Sequence, residues 1–328
     1  MTRPPQSADS LATLPTAAEL SAAADRIHPY AVRTPLVRFD DVLSVKPESL
    51  QPVGSFKLRG AFNRVLALPE EVRARGGVVA HSSGNHAQAV AYVGHVLGVS
   101  AVVVMPSNAP DMKVMATRRW GAEIVMVGPA SDDRVARCAE IAVERGLTVV
   151  EPYDDPCVVA GQGTIGSEIA ADQPDIDLVL VPVSGGGLLA GVATALKLAR
   201  PSCRVVAVEP ELADDTWQSF QSGARIGITA EEASRTVADG LRVQRLGDLG
   251  WSALRQHVDD VVRVSEDEIF HAMRALAAES RVLAEPSGAV ATAAWLHHRR
   301  VVDPEGSVRA AVAIVSGGNA AHRVSLLG

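Results

Sequence analysis

Cysteine is scarce. The three present, Cys138, Cys157 and Cys203, lie too far apart for a metal-ligand spacing, and so small and odd a set suits a reducing compartment better than a disulfide framework. No uninterrupted apolar run approaches the about 18 residues that a membrane-spanning helix needs. The opening stretch MTRPPQSADSLATLP lacks the apolar core of a signal peptide, so a cytoplasmic protein with no membrane partner is expected. A basic face is missing as well: the net charge is −7, the pI about 5.7, and acids and bases are interspersed. That excludes nucleic acid as the main partner, because phosphate binding needs clustered cations. The nine histidines show no ligand spacing, and there is no internal repeat or low-complexity linker. Lysine is the rarest cation, with only Lys46, Lys57, Lys113 and Lys197 among 31 basic residues. Where arginine is the habitual cation, a lysine is a candidate for a required amine. A desolvated lysine can lose its proton and form a Schiff base, and arginine cannot.

What is present is a long apolar inventory, 47% of 328 residues, enough for one large α/β domain or two domains. Thr16 with Glu19 three residues on marks a capping box at the first helix, TAAELSAAADRI. From residue 76 short Val-rich runs alternate with helical stretches of about 12 residues. GGVVA, SAVVVMP, EIVMVG and LTVVEP read as strands, followed later by DLVLVPV, RVVAVEP and AAVAIVSGG. Continuous apolar strands between helices are the pattern of a buried parallel sheet. An α/β protein with two sheets and a cleft between them is expected. Residues 76–151 are expected to form a small domain, with 1–75 and 152–328 forming the large one.

Three stretches carry chemistry. VLVPVSGGGLLAG (179–191) is a strand, a glycine turn and a helix start. Its glycines permit close backbone approach, and the helix N-terminus favours an anion. The same stretch reads as Gly185-x-Gly187-x-x-Ala190 with Glu209 about 20 residues on, a dinucleotide fingerprint, so an NAD-dependent dehydrogenase is the competing reading. HSSGNHAQAVA (81–91) places small polar residues and free N–H groups at a second strand-to-helix turn; helix capping by Ser82 and Ser83 is the plain alternative. GSFKLRGA (54–61) sets Lys57 between Phe56 and Leu58 at a helix start. An amine, a phosphate cradle and an anion turn together suit pyridoxal phosphate.

Eight motifs in order extend this to a resemblance. They are SLQPVGSFKLRGAFN (49–63), SSGNHAQAVA (82–91), GQGTIGSEI (161–169), VPVSGGGLLAG (181–191), VEPELADD (208–215), TVADGL (236–241), EPSGA (285–289) and SGGN (316–319). The chain resembles the fold-type II pyridoxal-phosphate enzymes, the tryptophan synthase β-like fold, in their serine/threonine dehydratase and serine racemase branch. The resemblance implies two open, twisted, mainly parallel sheets, an amino-acid substrate and a homodimer. It implies that Lys57 is the Schiff-base lysine and the base at Cα. Phe56 and Gly240 flank the pyridine ring, Ser184, Gly185, Gly186, Gly187 and Leu188 hold the phosphate, Asn85 bonds the ring hydroxyl and Ser316 the ring nitrogen. A neutral hydroxyl at that nitrogen gives a weaker electron sink than an aspartate, which favours prompt β-elimination. Ser82, Ser83, Gly84, Asn85 and His86 would bind the substrate carboxylate, with His86 a packing residue rather than a metal ligand. Ser83 is in addition the acid/base of the racemase branch. Glu285 is placed near the cofactor. Glu209, the Ala213 carbonyl and Asp215 would hold a divalent cation, Mg²⁺, Ca²⁺ or Mn²⁺.

The expected activity is therefore loss of water from L-threonine or L-serine to give a 2-oxo acid and ammonia. Serine or aspartate racemisation and 3-hydroxyaspartate dehydration stand as alternatives. Two positions depart from the branch: Ser184, where glycine is common, and Tyr153, where the racemases carry a small polar residue. Few residues follow Asn319, so the regulatory domain of the biosynthetic dehydratases is not expected.

Overall fold

The computed structural model describes residues 11–319. Ten strands form two sheets: β1 (Val37–Arg38), β2 (Leu43–Pro47), β3 (Val78–His81), β4 (Ala101–Pro106), β5 (Glu123–Val127), β6 (Thr148–Val149), β7 (Leu178–Pro182), β8 (Arg204–Pro210), β9 (Asp260–Val264) and β10 (Ala311–Val315). One sheet has the order β1-β2-β10-β7-β8-β9 and is parallel except for the antiparallel pairing of β1 with β2. The other has the order β5-β4-β3-β6 and is parallel throughout. The two-sheet α/β expectation holds.

Strand periodicity divides the core of the larger sheet. Leu178 and Leu180 of β7 and Val206 and Val208 of β8 pack on one face, with Ala291 and Ala294 of helix Pro286–His297. Val179, Val181, Val205 and Ala207 point the other way, onto Ile165 and Val192 of helices Pro156–Asp172 and Gly187–Ala199. Both faces are covered, which is why these strands read as unbroken apolar runs. The sequence reading missed β1, β2 and β9. β2 (LSVKP) carries Lys46, fully buried despite its charge because its Nζ lies 2.6 Å from Glu168 and 2.5 Å from the Thr34 carbonyl. A paired cation inside a strand disguises it as a surface segment. The capping box at Thr16 and Glu19 is formed as expected.

Parallel strands share a direction, so their carboxyl ends gather on one side. β3 runs out into 82–84, β6 into 150–153, β7 into 183–186 and β10 into Ser316, while β2 leads through 48–56 to Lys57. These segments line one cavity.

Candidate active site

The cavity has a volume of about 450 Å³ and takes its walls from both sheets. Lys57 is the first residue of helix Lys57–Leu66, so its side chain leaves from the positive end of the helix. Its Nζ donates to the Pro152 carbonyl at 2.5 Å and stands 5.1 Å from the centre of the Phe56 ring. Burial, with no carboxylate to offset it, pulls the amine down to about 8. An amine so placed gives up its proton near working pH, as a nucleophile or a base must. The other three lysines have structural partners. Lys46 pairs with Glu168, Lys113 with Asp239, and Lys197 with Asp259.

The glycine turn is built by steric demand. Gly186 has φ 92°, a left-handed conformation that glycine adopts freely, and it precedes helix Gly187–Ala199. A Cβ on Gly185 would lie 2.6 Å from the Tyr153 ring, and one on Gly187 would lie 2.6 Å from the Tyr153 carbonyl. Tyr153 is thus packed against the turn, and the neighbouring Asp154 carboxylate pins the segment by accepting from Asp248 and Leu249 N–H at 2.8 and 2.9 Å. Ser184 Oγ accepts from Val243 N–H at 3.2 Å, so the hydroxyl at this unusual position secures the 240s loop. The N–H groups of Gly187 and Leu188, in the first turn, have no intrahelical acceptor, and both residues line the cavity. Free N–H groups at a helix N-terminus suit an anion such as a phosphate.

In the same cavity lining, residues 82–84 turn into helix Asn85–Leu97. The capping alternative fails: Gly84 is the N-cap and no side chain caps the helix. Ser82 Oγ instead accepts from Gly84 N–H at 3.1 Å, and Ser83 faces the cavity. The helix therefore presents uncapped N–H groups to a ligand carboxylate. His86 is 3% exposed and its Nε2 lies 2.8 Å from the Val150 carbonyl. Burial, with Lys57 nearby, pushes its pKa down to about 3, so it is a neutral packing residue.

The remaining wall comes from the larger sheet. Ser316 follows β10, and its hydroxyl donates to the Ser287 carbonyl at 3.2 Å. Ser287 Oγ accepts from Gly240 N–H at 2.8 Å, and a Cβ on Gly240 would come within 2.9 Å of that oxygen. Glu285 is buried, and its Oε1 accepts from Asn85 Nδ2 at 2.6 Å. Burial, together with Asp239, raises its carboxyl to about 7. Sequence reasoning gave no role to Ser287, nor to the Lys113–Asp239 ion pair in the cavity lining. The rarity of lysine was the available signal for Lys113.

Glu209 is the penultimate residue of β8 and is not in the cavity lining. Its two oxygens accept from Trp217 and Thr216 N–H at 2.5 and 3.3 Å, capping helix Asp215–Ser222. A carboxylate so committed cannot reach a ribose in the cavity, which removes the dinucleotide reading. Asp215 lies beside it, 2% exposed, and its Oδ2 has no hydrogen-bond partner. Burial, then Asp215, holds Glu209 well above the usual carboxylate range, and burial also raises Asp215 to about 7. Among the described residues no three His, Cys, Asp or Glu side chains form a metal cage, so any cation here would rest on two carboxylates, a carbonyl and water.

Residues 27–317 match the family of pyridoxal-phosphate dependent enzymes. The chain is 46% identical over 275 residues to the catabolic L-threonine dehydratase of Escherichia coli K12, covering 84% of this chain and 82% of that one. It is 37% identical over 313 residues to the serine racemase of Schizosaccharomyces pombe, covering 93% and 94%. Among solved structures, the maize serine racemase superposes with a TM-score of 0.89 at 37% identity, over 94% of this chain and 95% of that one. A solved threonine deaminase superposes with a TM-score of 0.86 at 41% identity, over 94% and 99%. No helix among the described residues is long and apolar enough to cross a membrane. The enclosed amine and the glycine turn at a helix N-terminus fit this cofactor, and with the match running through nearly the whole length the chain belongs to the pyridoxal-phosphate dependent enzymes of fold-type II.

Proposed function

We propose that the protein is a dehydratase (ammonia-lyase) of L-threonine or L-serine. The observation that carries this reading is one cavity lined together by the lowered amine of Lys57, the glycine turn of 184–188 and the anion turn of 82–86. When bound, pyridoxal phosphate supplies an electron sink next to the substrate Cα. Its phosphate would rest on Gly185 to Leu188 and its ring between Phe56 and Gly240, with Ser316 at the ring nitrogen. The N–H groups of Ser83, Asn85 and His86, left over after Ser82 N–H bonds the Val104 carbonyl and Gly84 N–H bonds Ser82 Oγ, orient the substrate carboxylate and so fix which Cα bond stands upright. Lys57 takes the Cα proton, the β-hydroxyl leaves as water, and hydrolysis returns one water to yield the 2-oxo acid and ammonia. Purified protein given L-threonine or L-serine should release the oxo acid, followed by coupled lactate dehydrogenase. Protein that binds the cofactor but releases no oxo acid from any β-hydroxy amino acid would remove the reading.

Racemisation is a second reading, supported by Ser83 lining the same cavity as Lys57. A general acid/base contributes about 10²–10⁴-fold. Ser83→Ala is therefore expected to lower D-serine formation by at least about 10²-fold while oxo-acid formation stays within about tenfold. Chiral chromatography of the two products from L-serine measures both; undiminished D-serine would take the second base away from Ser83.

Glu209, Asp215 and the Ala213 carbonyl would hold a divalent cation, and the unpartnered Asp215 Oδ2 supports it, since a buried oxygen without a donor needs a counter-ligand. About 1 mM Mg²⁺, Ca²⁺ or Mn²⁺ added to chelator-treated protein should raise Tm by a few degrees, as ligand binding to the native state does. Asp215→Asn should abolish that rise. An unchanged Tm with all three ions would dismiss the site.

A further inference from the structure

Asn85 is expected to bond the cofactor ring oxygen, yet a carboxamide can point either its oxygen or its nitrogen at a ligand. The surrounding hydrogen bonds leave one choice. The Val53 carbonyl is an acceptor whatever its neighbours do. The Asn319 side-chain atom 2.7 Å from it must therefore be Nδ2, the donor. The same nitrogen lies 3.0 Å from an amide atom of Asn85. Two NH₂ groups facing each other would repel, so that atom is Asn85 Oδ1. The Asn85 nitrogen then turns to Glu285, whose Oε1 accepts at 2.6 Å. Either protonation state of Glu285 offers that oxygen. One N–H of Asn85 is spent, its oxygen is spent, and the second N–H is left at the cavity wall.

The backbone makes room for this chain of contacts. Gly54 has φ 72°, and a Cβ there would run into the Asn319 carboxamide. A Cβ on Gly317 would strike Glu285 Oε1 and come within 3.2 Å of Asn85 Nδ2. The segments are held together around it, with Gly318 N–H donating to the Gly54 carbonyl at 2.9 Å and Glu285 N–H to that of Gly317 at 3.0 Å.

We propose that Asn319 and Glu285 are positioning residues that lock the Asn85 carboxamide with its nitrogen available to the cofactor, so that the binding of pyridoxal phosphate depends on a side chain that need not touch it. The proposal rests on the assignment of the cavity to that cofactor. Titrating apoprotein with pyridoxal phosphate tests it, by fluorescence quenching for affinity and by absorption of the bound cofactor for its ionisation. Asn319→Ala should weaken affinity about 5- to 30-fold, the worth of one misdirected polar group, and shift the bound absorption maximum. Glu285→Gln, which still offers an oxygen, should stay within about twofold. In an Asn85→Ala background, Asn319→Ala should add less than about twofold, since its effect passes through the missing amide. Wild-type affinity and spectrum in Asn319→Ala, or its full effect persisting without Asn85, would overturn the proposal. Should Asn319→Ala fold poorly, Glu285→Ala against Glu285→Gln reads the same coupling, and equal behaviour of those two would overturn it as well. Wild-type apoprotein that takes up no pyridoxal phosphate would instead strike the cofactor assignment.

Discussion

Replacing Lys57 with alanine is expected to lower dehydration of L-threonine or L-serine by at least about 10⁴-fold, because the change removes both a nucleophile and a general base. The same replacement should not harm the fold. The amine sits in a wall with no carboxylate partner, and burial alone pulls it from 10.5 to about 8. A lysine whose folded pKa is depressed opposes folding while it is protonated. In the apoprotein that penalty is full below about pH 8, shrinks between about 8 and 10.5, and is gone above. Lys57→Ala apoprotein should therefore melt at the same temperature as wild type or higher at pH 7, and the gap should close toward pH 10.5. Rate and melting temperature measured on one preparation separate the two effects. A variant that is inactive because it is unfolded, or one that keeps more than about 1% of the activity, would contradict the assignment.

Arg59→Ala is expected to destabilise the protein by about 3–5 kcal/mol, the cost of leaving a buried charge unpaired. Arg59 is 1% exposed and lies in the first turn of the helix that Lys57 begins. Its Nε and Nη2 each lie 2.8 Å from an oxygen of Glu48, and its Nη1 and Nη2 lie 2.7 and 2.9 Å from Glu168. Burial by itself raises the Glu48 carboxyl, and the guanidinium beside it outweighs that and keeps the group below its ordinary value. Stability from this pair is therefore present above about pH 4.5 and is lost as pH falls through the lower folded value. Removing the guanidinium strands Glu48, which has no exposure. Replacing both partners, as Arg59→Met with Glu48→Leu, should recover most of the loss, since Lys46 and Glu168 still neutralise each other. Urea unfolding followed by circular dichroism gives both numbers. A cost below about 1 kcal/mol for Arg59→Ala would show that water reaches the network.

The legible parts of this protein were those with a local cause. Strands such as β4 and β7 announce themselves because both faces are covered and every residue is apolar. The capping box at Thr16 needs only four consecutive residues. Lys57 and the three glycines from 185 stood out because their residue types are uncommon and chemically particular. Where the local pattern hides or mimics a role, the cause is distant. Lys46 is a strand residue only because Glu168 lies 122 positions away. Ser82 and Ser83 look like caps, and the turn's geometry gives the N-cap to Gly84 instead. Glu209 has the spacing of a ribose ligand, and the helix N–H groups seven and eight residues on bond its oxygens.

Residue pattern alone was enough for the α/β alternation, the amine, the glycine turn and the anion turn, because hydrophobic period and backbone freedom act over a few neighbouring residues. Tertiary packing settled what those pieces do to one another. It enclosed Lys57 until its ammonium became costly, joined Lys113 to Asp239 in the cavity lining, and linked Val53, Asn319, Asn85 and Glu285 across separations of 200 to 266 positions. Desolvation and hydrogen-bond direction depend on what surrounds a group in three dimensions, and no local pattern of residues contains that information.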